Sequence, residues 1–207
     1  MEMLRKSLND FTASLASKAS VPGGGSASAL AGSLAAALGG MVGELTVGKE
    51  KYAAVEPILR ELLDEAETLR GRLLDCVEKD AAALAPLAKA YAIPKDDPQR
   101  AETLEACLTA AAAAPPMEVL ELTGRTVELL RGVADMGSSI AVSDAAVGAA
   151  LALAALRGAE INVRVNTRLM QDRERAAALD AKAHARVDKY ARQAEKIYND
   201  VYGRLTR

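Results

Sequence analysis

Thirty consecutive residues, Ala19 to Gly48, carry a single charged side chain, Glu44, in a chain that is 26% Asp, Glu, Lys and Arg. A stretch so depleted must be enclosed by the rest of the fold or lie in a bilayer. Its large aliphatic residues are few, and Ala, Gly and Ser dominate, which fits a buried core helix better than a membrane span. It opens with Pro22-Gly23-Gly24-Gly25-Ser26. Ser26 reads as an N-cap, and the glycines before it allow a sharp turn with uncovered amide N–H groups, a helix start suited to anions. Gly32, Gly39 and Gly43 fall on one helical stripe beside Ala36. Each glycine costs a helix about 1 kcal/mol relative to alanine, so the stripe predicts that another backbone presses close.

A second nearly uncharged run follows Ser138-Ser139-Ile140-Ala141-Val142-Ser143-Asp144 and continues to Leu156. Ser143 reads as its N-cap and Asp144 as a first-turn acid favoured by the helix dipole. Two such helices are too apolar to face water, and their need for cover on all sides predicts a homodimer with an isologous helix interface. No alternating strand pattern of useful length occurs. The expectation is therefore all-α: a bundle of about seven helices with two nearly uncharged central ones, in a single domain spanning residues 1–207.

The remaining helices follow from apolar spacing. Leu4, Leu8, Phe11 and Leu15 mark a short amphipathic helix. Leu62, Ala66, Leu69, Leu73, Val77, Leu84, Leu87 and Tyr91 mark a long one, and Asp80 lies in phase with that buried stripe. A carboxylate there is costly unless paired or hydrogen-bonded, so Asp80 is either a satisfied core acid or a functional one. Pro86 should kink or split this helix. Asp97-Pro98 has the form of an N-cap with proline at the first helical position, and Pro115-Pro116 opens a helix closed by Gly137. Asn162 and Asn166, four apart on an apolar face, need buried partners or face a ligand. Lys49 and Lys51 after Gly48 would answer terminal carbonyls and the negative end of the dipole. Leu179 to Leu205 forms a solvated amphipathic helix, with His184 beside its stripe as an exposed or rim residue.

Several function classes fall away on composition. A net charge of −2 gives no reason to expect nucleic acid or an anionic membrane, and 3% aromatic residues without Trp leave little for base stacking. One histidine and two separated cysteines, Cys76 and Cys107, offer no metal-ligand cluster, so no metal is expected. Reduced, packed thiols and an amino end lacking a secretory pattern point to the cytoplasm.

Five blocks in register carry a likeness to a known family. They are Pro22-Gly23-Gly24-Gly25-Ser26 with its Ala/Gly helix, Gly48-Lys49-Glu50-Lys51-Tyr52, Asp80 with Tyr91 and Pro94, Ser143-Asp144, and Asn162-Val163-Arg164-Val165-Asn166. In this order, over nearly the whole chain, they resemble the cyclodeaminase and methenyltetrahydrofolate cyclohydrolase family, which includes the carboxyl-terminal domain of formiminotransferase-cyclodeaminase. The resemblance implies an all-helical dimer acting on one-carbon tetrahydrofolates, with folate as substrate and no further cofactor. It also implies that the bifunctional enzyme's transferase domain is absent here, since the motif begins at about Ser7.

On that resemblance, Asp80 is expected to act as the base, Asp144 to face the substrate cation or serve structurally, and Lys49 to donate a proton or bind the folate carboxylates. Gly23, Gly24, Gly25 and Ser26 would bind the glutamate tail or polarise an oxygen. Tyr52 and Ser143 join the substrate-binding set, and Asn162 and Asn166 would bond the pterin edge. A standalone chain leans towards hydrolysis of methenyltetrahydrofolate; formimidoyltetrahydrofolate cyclodeamination with release of ammonia is the alternative. A non-catalytic helical dimer or folate-binding module, with glycines serving only close packing, is the reading from another class.

Overall fold

The computed structural model describes residues 3–206, and among them the regular structure is entirely helical. Seven α-helices follow in order: α1 (Leu8–Leu15), α2 (Gly24–Glu44), α3 (Glu56–Ala92), α4 (Arg100–Ala113), α5 (Pro115–Met136), α6 (Val142–Thr167) and α7 (Arg173–Leu205). Two short 3-10 turns, Met3–Arg5 and Glu50–Tyr52, complete the described elements.

The two uncharged segments form the centre. α2 packs on α3, α5 and α6, while α6 packs on α2, α5 and α7. They run antiparallel. Near the start of α2, Ser28 lies against Gly158, whereas beyond its end Ser138 N–H donates to Thr46 Oγ1 at 2.8 Å. Midway, a Cβ on Gly148 would sit 3.3 Å from the Ala35 carbonyl oxygen, so the absence of a side chain brings α6 onto the α2 backbone. Gly32, Gly39 and Gly43 serve a different purpose from the one the stripe predicts. Leucine side chains fill their places: Leu73, Leu129 and Leu63 lie within 3.1 Å, 2.3 Å and 2.8 Å of the respective Cβ positions.

Local signals explain most boundaries, and three depart from expectation. α3 runs through Pro86 without a break. Pro86 and Ala82, whose carbonyl loses its N–H partner, are both exposed, so water can satisfy the freed group. α4 begins at Arg100, not at Pro98; Asp97 instead accepts from Gln99 N–H at 2.8 Å and closes the preceding turn. α6 begins at Val142 with Ala141 as its flanking residue, because a turn from Ser138 already supplies the entry, and Ser143 therefore lies inside the helix.

The main hydrophobic cluster draws on α1, α2, α3, α5, α6 and α7, and a small satellite of Leu108, Met170 and Ala176 lies beneath α4. Cys76 is buried and Cys107 half-buried, both as free thiols. α2 and α6 are long and apolar enough to cross a membrane, with mean hydropathy 1.4 in each window, and half of each window is buried within this chain.

Candidate active site

Asp80 is the point from which the site is built. The α3 stripe is buried through Leu69, Leu73 and Val77, and at Asp80 it begins to open, with Leu84 and Leu87 half-buried and Tyr91 exposed. The carboxylate therefore stands where the core becomes a cavity. That cavity, of about 220 Å³, lies between the start of α2, the second half of α3, the ends of α4 and α6 and the start of α5.

Ser26 is fully buried, and its hydroxyl donates to Asp80 Oδ2 at 2.8 Å. This corrects the capping role expected for it. α2 starts two residues earlier, at Gly24, with extended Gly23 flanking it and no side-chain cap, so Ser26 is turned inward to a partner far away in sequence. Gly25 lets the carboxylate lie directly on the helix: a Cβ there would be 2.0 Å from Asp80 Oδ1. The positive end of the α2 dipole thus faces Asp80 itself.

Among the described residues, no cation reaches that carboxylate. Lys79, its chain neighbour, donates instead to Glu118 at 2.7 Å, and Arg72 joins the same carboxylate at 3.1 Å. Burial pushes Glu118 up, but its bonds to Lys79 and Arg72 prevail and hold it below the ordinary value. Asp80 is the only ionisable side chain lining the cavity among the described residues. Its Oδ1 has no hydrogen-bond partner there.

Asn162 and Asn166 line the same cavity from α6. Their amide groups donate to backbone carbonyls, Asn162 to Gly158 at 2.7 Å and Asn166 to Asn162 at 2.9 Å. One N–H of each is committed to the helix, and the carboxamide oxygens remain as acceptors for N–H groups of a ligand. Gly23 and Gly24 complete the floor, and Pro115 and Pro116 form a wall that the sequence reading did not assign to a site.

Lys49, Tyr52, Ser143 and Asp144 lie at the other end of α2. Its 21 residues separate the two groups by about 30 Å at 1.5 Å per residue. Lys49 Nζ donates to the Leu45 carbonyl, closing the helix. The Ser138 hydroxyl first, then the Ser139 amide and the Lys51 charge, hold the Tyr52 phenol below its ordinary value. Ser138 and Ser139 thus belong to this cluster, although the sequence reading did not assign them to a site. Ser143 and Asp144 occupy the first turn of α6 beside it. Within one chain, then, the expected site residues form two groups, not one.

A charged groove between α6 and α7 holds His184 and Arg164, and its charges pair off: His184 Nδ1 lies 2.9 Å from Glu160, and Arg164 bonds Asp180. Cys76 is pushed up to about 12, by burial before any neighbouring charge, and its thiol is unsuited to nucleophilic chemistry.

Comparisons with known proteins agree with this architecture. The formiminotransferase-cyclodeaminase family profile matches residues 7–185. A methenyltetrahydrofolate cyclohydrolase from Methylorubrum extorquens is 36% identical over 81% of this chain and 82% of its own. The mouse formimidoyltransferase-cyclodeaminase is 28% identical over 98% of this chain, which spans only 37% of that longer protein. The crystal structure of a formiminotetrahydrofolate cyclodeaminase from Thermotoga maritima superposes with a TM-score of 0.83 at 26% identity, covering 96% of this chain and 98% of that one. With the family pattern matched across both central helices and the Asp80 cavity, the chain belongs to the formiminotransferase-cyclodeaminase family.

Proposed function

We propose that this chain hydrolyses 5,10-methenyltetrahydrofolate to 10-formyltetrahydrofolate. One observation carries the reading: the cavity is lined by a single ionisable group, Asp80, which has no cation of its own. The substrate supplies one, because its bridging carbon lies in an amidinium between N5 and N10. A carboxylate facing that cation both holds it and removes a proton from water beside it.

The steps balance. Water attacks the bridging carbon, a C–O bond forms, and one water proton passes to the free oxygen of Asp80. The adduct then loses its second O–H proton as the carbonyl forms, while the C–N5 bond breaks and N5 takes a proton. One water proton ends on N5 and the other leaves to solvent, matching the loss of the substrate's positive charge. Asn162 and Asn166 accept from the pterin edge, and Gly23 and Gly24 let the ligand approach the backbone.

The active unit in this reading is a homodimer in the cytoplasm, working without metal, added cofactor, nucleic acid or membrane. A cavity of about 220 Å³ is smaller than the roughly 300–1,000 Å³ of most ligand sites, so a second surface must complete it. Leu34 and Met41 on α2, Leu45 just after it, and Val147, Ile161 and Val165 on α6 are each at least 44% exposed and form apolar stripes along both helices. A two-fold axis across these stripes brings the Lys49, Tyr52, Ser143 and Asp144 end of one copy to the Asp80 end of the other. Lys49 then supplies the N5 proton or binds the folate carboxylates, and Asp144 faces the cation.

Loss of the methenyl chromophore, followed against buffer alone because the substrate also hydrolyses unaided, tests the reading. Ammonia release from formimidoyltetrahydrofolate is run in parallel. The expected result is faster hydrolysis without ammonia. Ammonia release would make the chain a cyclodeaminase, where N10 attacks the formimidoyl carbon in the same site; neither activity would leave a folate-binding or structural module.

A further inference from the structure

We propose that Ser26 is the positioning residue of the hydrolysis, a hydroxyl rotor that fixes Asp80 when charged and releases it when protonated. The inference rests on the reading of Asp80 as the base. It starts from a buried hydroxyl with one proton and two acceptors: Asp80 Oδ2 at 2.8 Å and the Val77 carbonyl at 3.2 Å.

With Asp80 ionised, the Ser26 proton goes to the carboxylate, since a charged acceptor outcompetes a neutral carbonyl. This engages Oδ2 and leaves Oδ1 as the oxygen that meets water. Gly25 closes the remaining freedom, because the carboxylate rests on its Cα, where no side chain fits. When Oδ1 takes the proton, the charge at Oδ2 falls and the Ser26 O–H turns to Val77. Both acceptors stay within reach, so neither protonation state leaves the buried hydroxyl without a partner. Other charged groups do not share this duty. From α2 and α6 only uncharged groups face the carboxylate, and on α3 Lys79 is held by Glu118.

The test is a double-mutant cycle on kcat and KM with Ser26→Ala, Asp80→Asn and the pair. Ser26→Ala is expected to lower kcat by about 10- to 100-fold, the loss of one hydrogen bond to a charged group, with KM changed less than about threefold. In the Asp80→Asn background the same substitution should cost less than about twofold. Multiplying losses in the two backgrounds would show a merely structural serine and overturn the proposal, as would an unchanged kcat for Ser26→Ala. Wild-type activity in Asp80→Asn would instead remove the reading of Asp80 on which the proposal stands. Should Ser26→Ala fail to fold, Gly25→Ala provides the second arm. It should lower kcat at least as strongly in the wild type and add nothing in Asp80→Ala, where the methyl meets no carboxylate; an equal loss in both overturns the proposal.

Discussion

Lys79 is the chain neighbour of Asp80, yet its ammonium lies 2.7 Å from Glu118 on α5 and leaves Asp80 without a cation among the described residues. The protein has placed a positive charge one residue from its candidate base and then turned it away. On the proposed reading that arrangement keeps Asp80 for a cation that arrives with the substrate, and it ties α3 to α5 beside the cavity.

Asp80→Asn should lower kcat by about 10²- to 10⁴-fold while the far-ultraviolet circular dichroism stays that of the wild type. Asp80→Leu should abolish folate turnover and raise stability by about 1 kcal/mol in urea unfolding, because a half-buried carboxylate is held there at a cost. A fully active Asn variant would remove Asp80 from the chemistry.

Subunit mixing tests the shared site. Asp80→Asn and Asp144→Asn, each inactive alone, should recover about a quarter of wild-type activity after co-refolding, since half the dimers are mixed and each holds one intact site. No recovery would confine the site to one chain. Leu34→Glu, on the exposed α2 stripe, should shift the protein to a monomer in light scattering and lower activity at least about tenfold.

Glu118 sets an acid-sensitive contribution to stability. Its folded-state value lies below the ordinary 4.5, so its contribution is present above that value and is lost as pH falls through the lower, folded one. Glu118→Gln should therefore cost about 0.5–1 kcal/mol at neutral pH, a modest figure because Lys79 and Arg72 are half-exposed. The difference from wild type should close in urea titrations below pH 4.5.

The two thiols should separate in a native titration with an aromatic disulfide reagent. Cys107 is half-buried and reacts first, whereas Cys76, buried with its thiol pushed up to about 12, reacts only on denaturation. Fast reaction of both would mean that α3 opens readily around Cys76.

Periodicity made Asp80 legible, because a carboxylate in phase with Leu69, Leu73 and Val77 is visible in one dimension. Charge depletion located both uncharged helices, and Pro115-Pro116 located the start of α5. Ser26 shows where such reading ends. Capping rules weigh a serine against its own next turn, but this hydroxyl bonds a residue 54 positions away, which only packing reveals. Ser143 fails for a related reason: a turn from Ser138 opens α6 before the serine is reached. The separation of Asp80 from Asp144 was also hidden, since motif order says nothing about which end of a helix each block occupies.

The central helices have one more consequence, in the entropy of their side chains. Of the buried positions on α2, all but Val42 are Gly, Ala or Ser, and the facing positions on α6 are mostly Ala. Gly and Ala lose no rotamer freedom on burial, so the backbone cost of ordering the glycines is incurred during folding and little remains to freeze afterwards. The floor beneath Asp80 has few side chains able to hop between rotamers. On the proposed reading, binding the reduced pterin against it orders almost nothing new in the protein, and the association free energy is left for holding the reacting carbon in place.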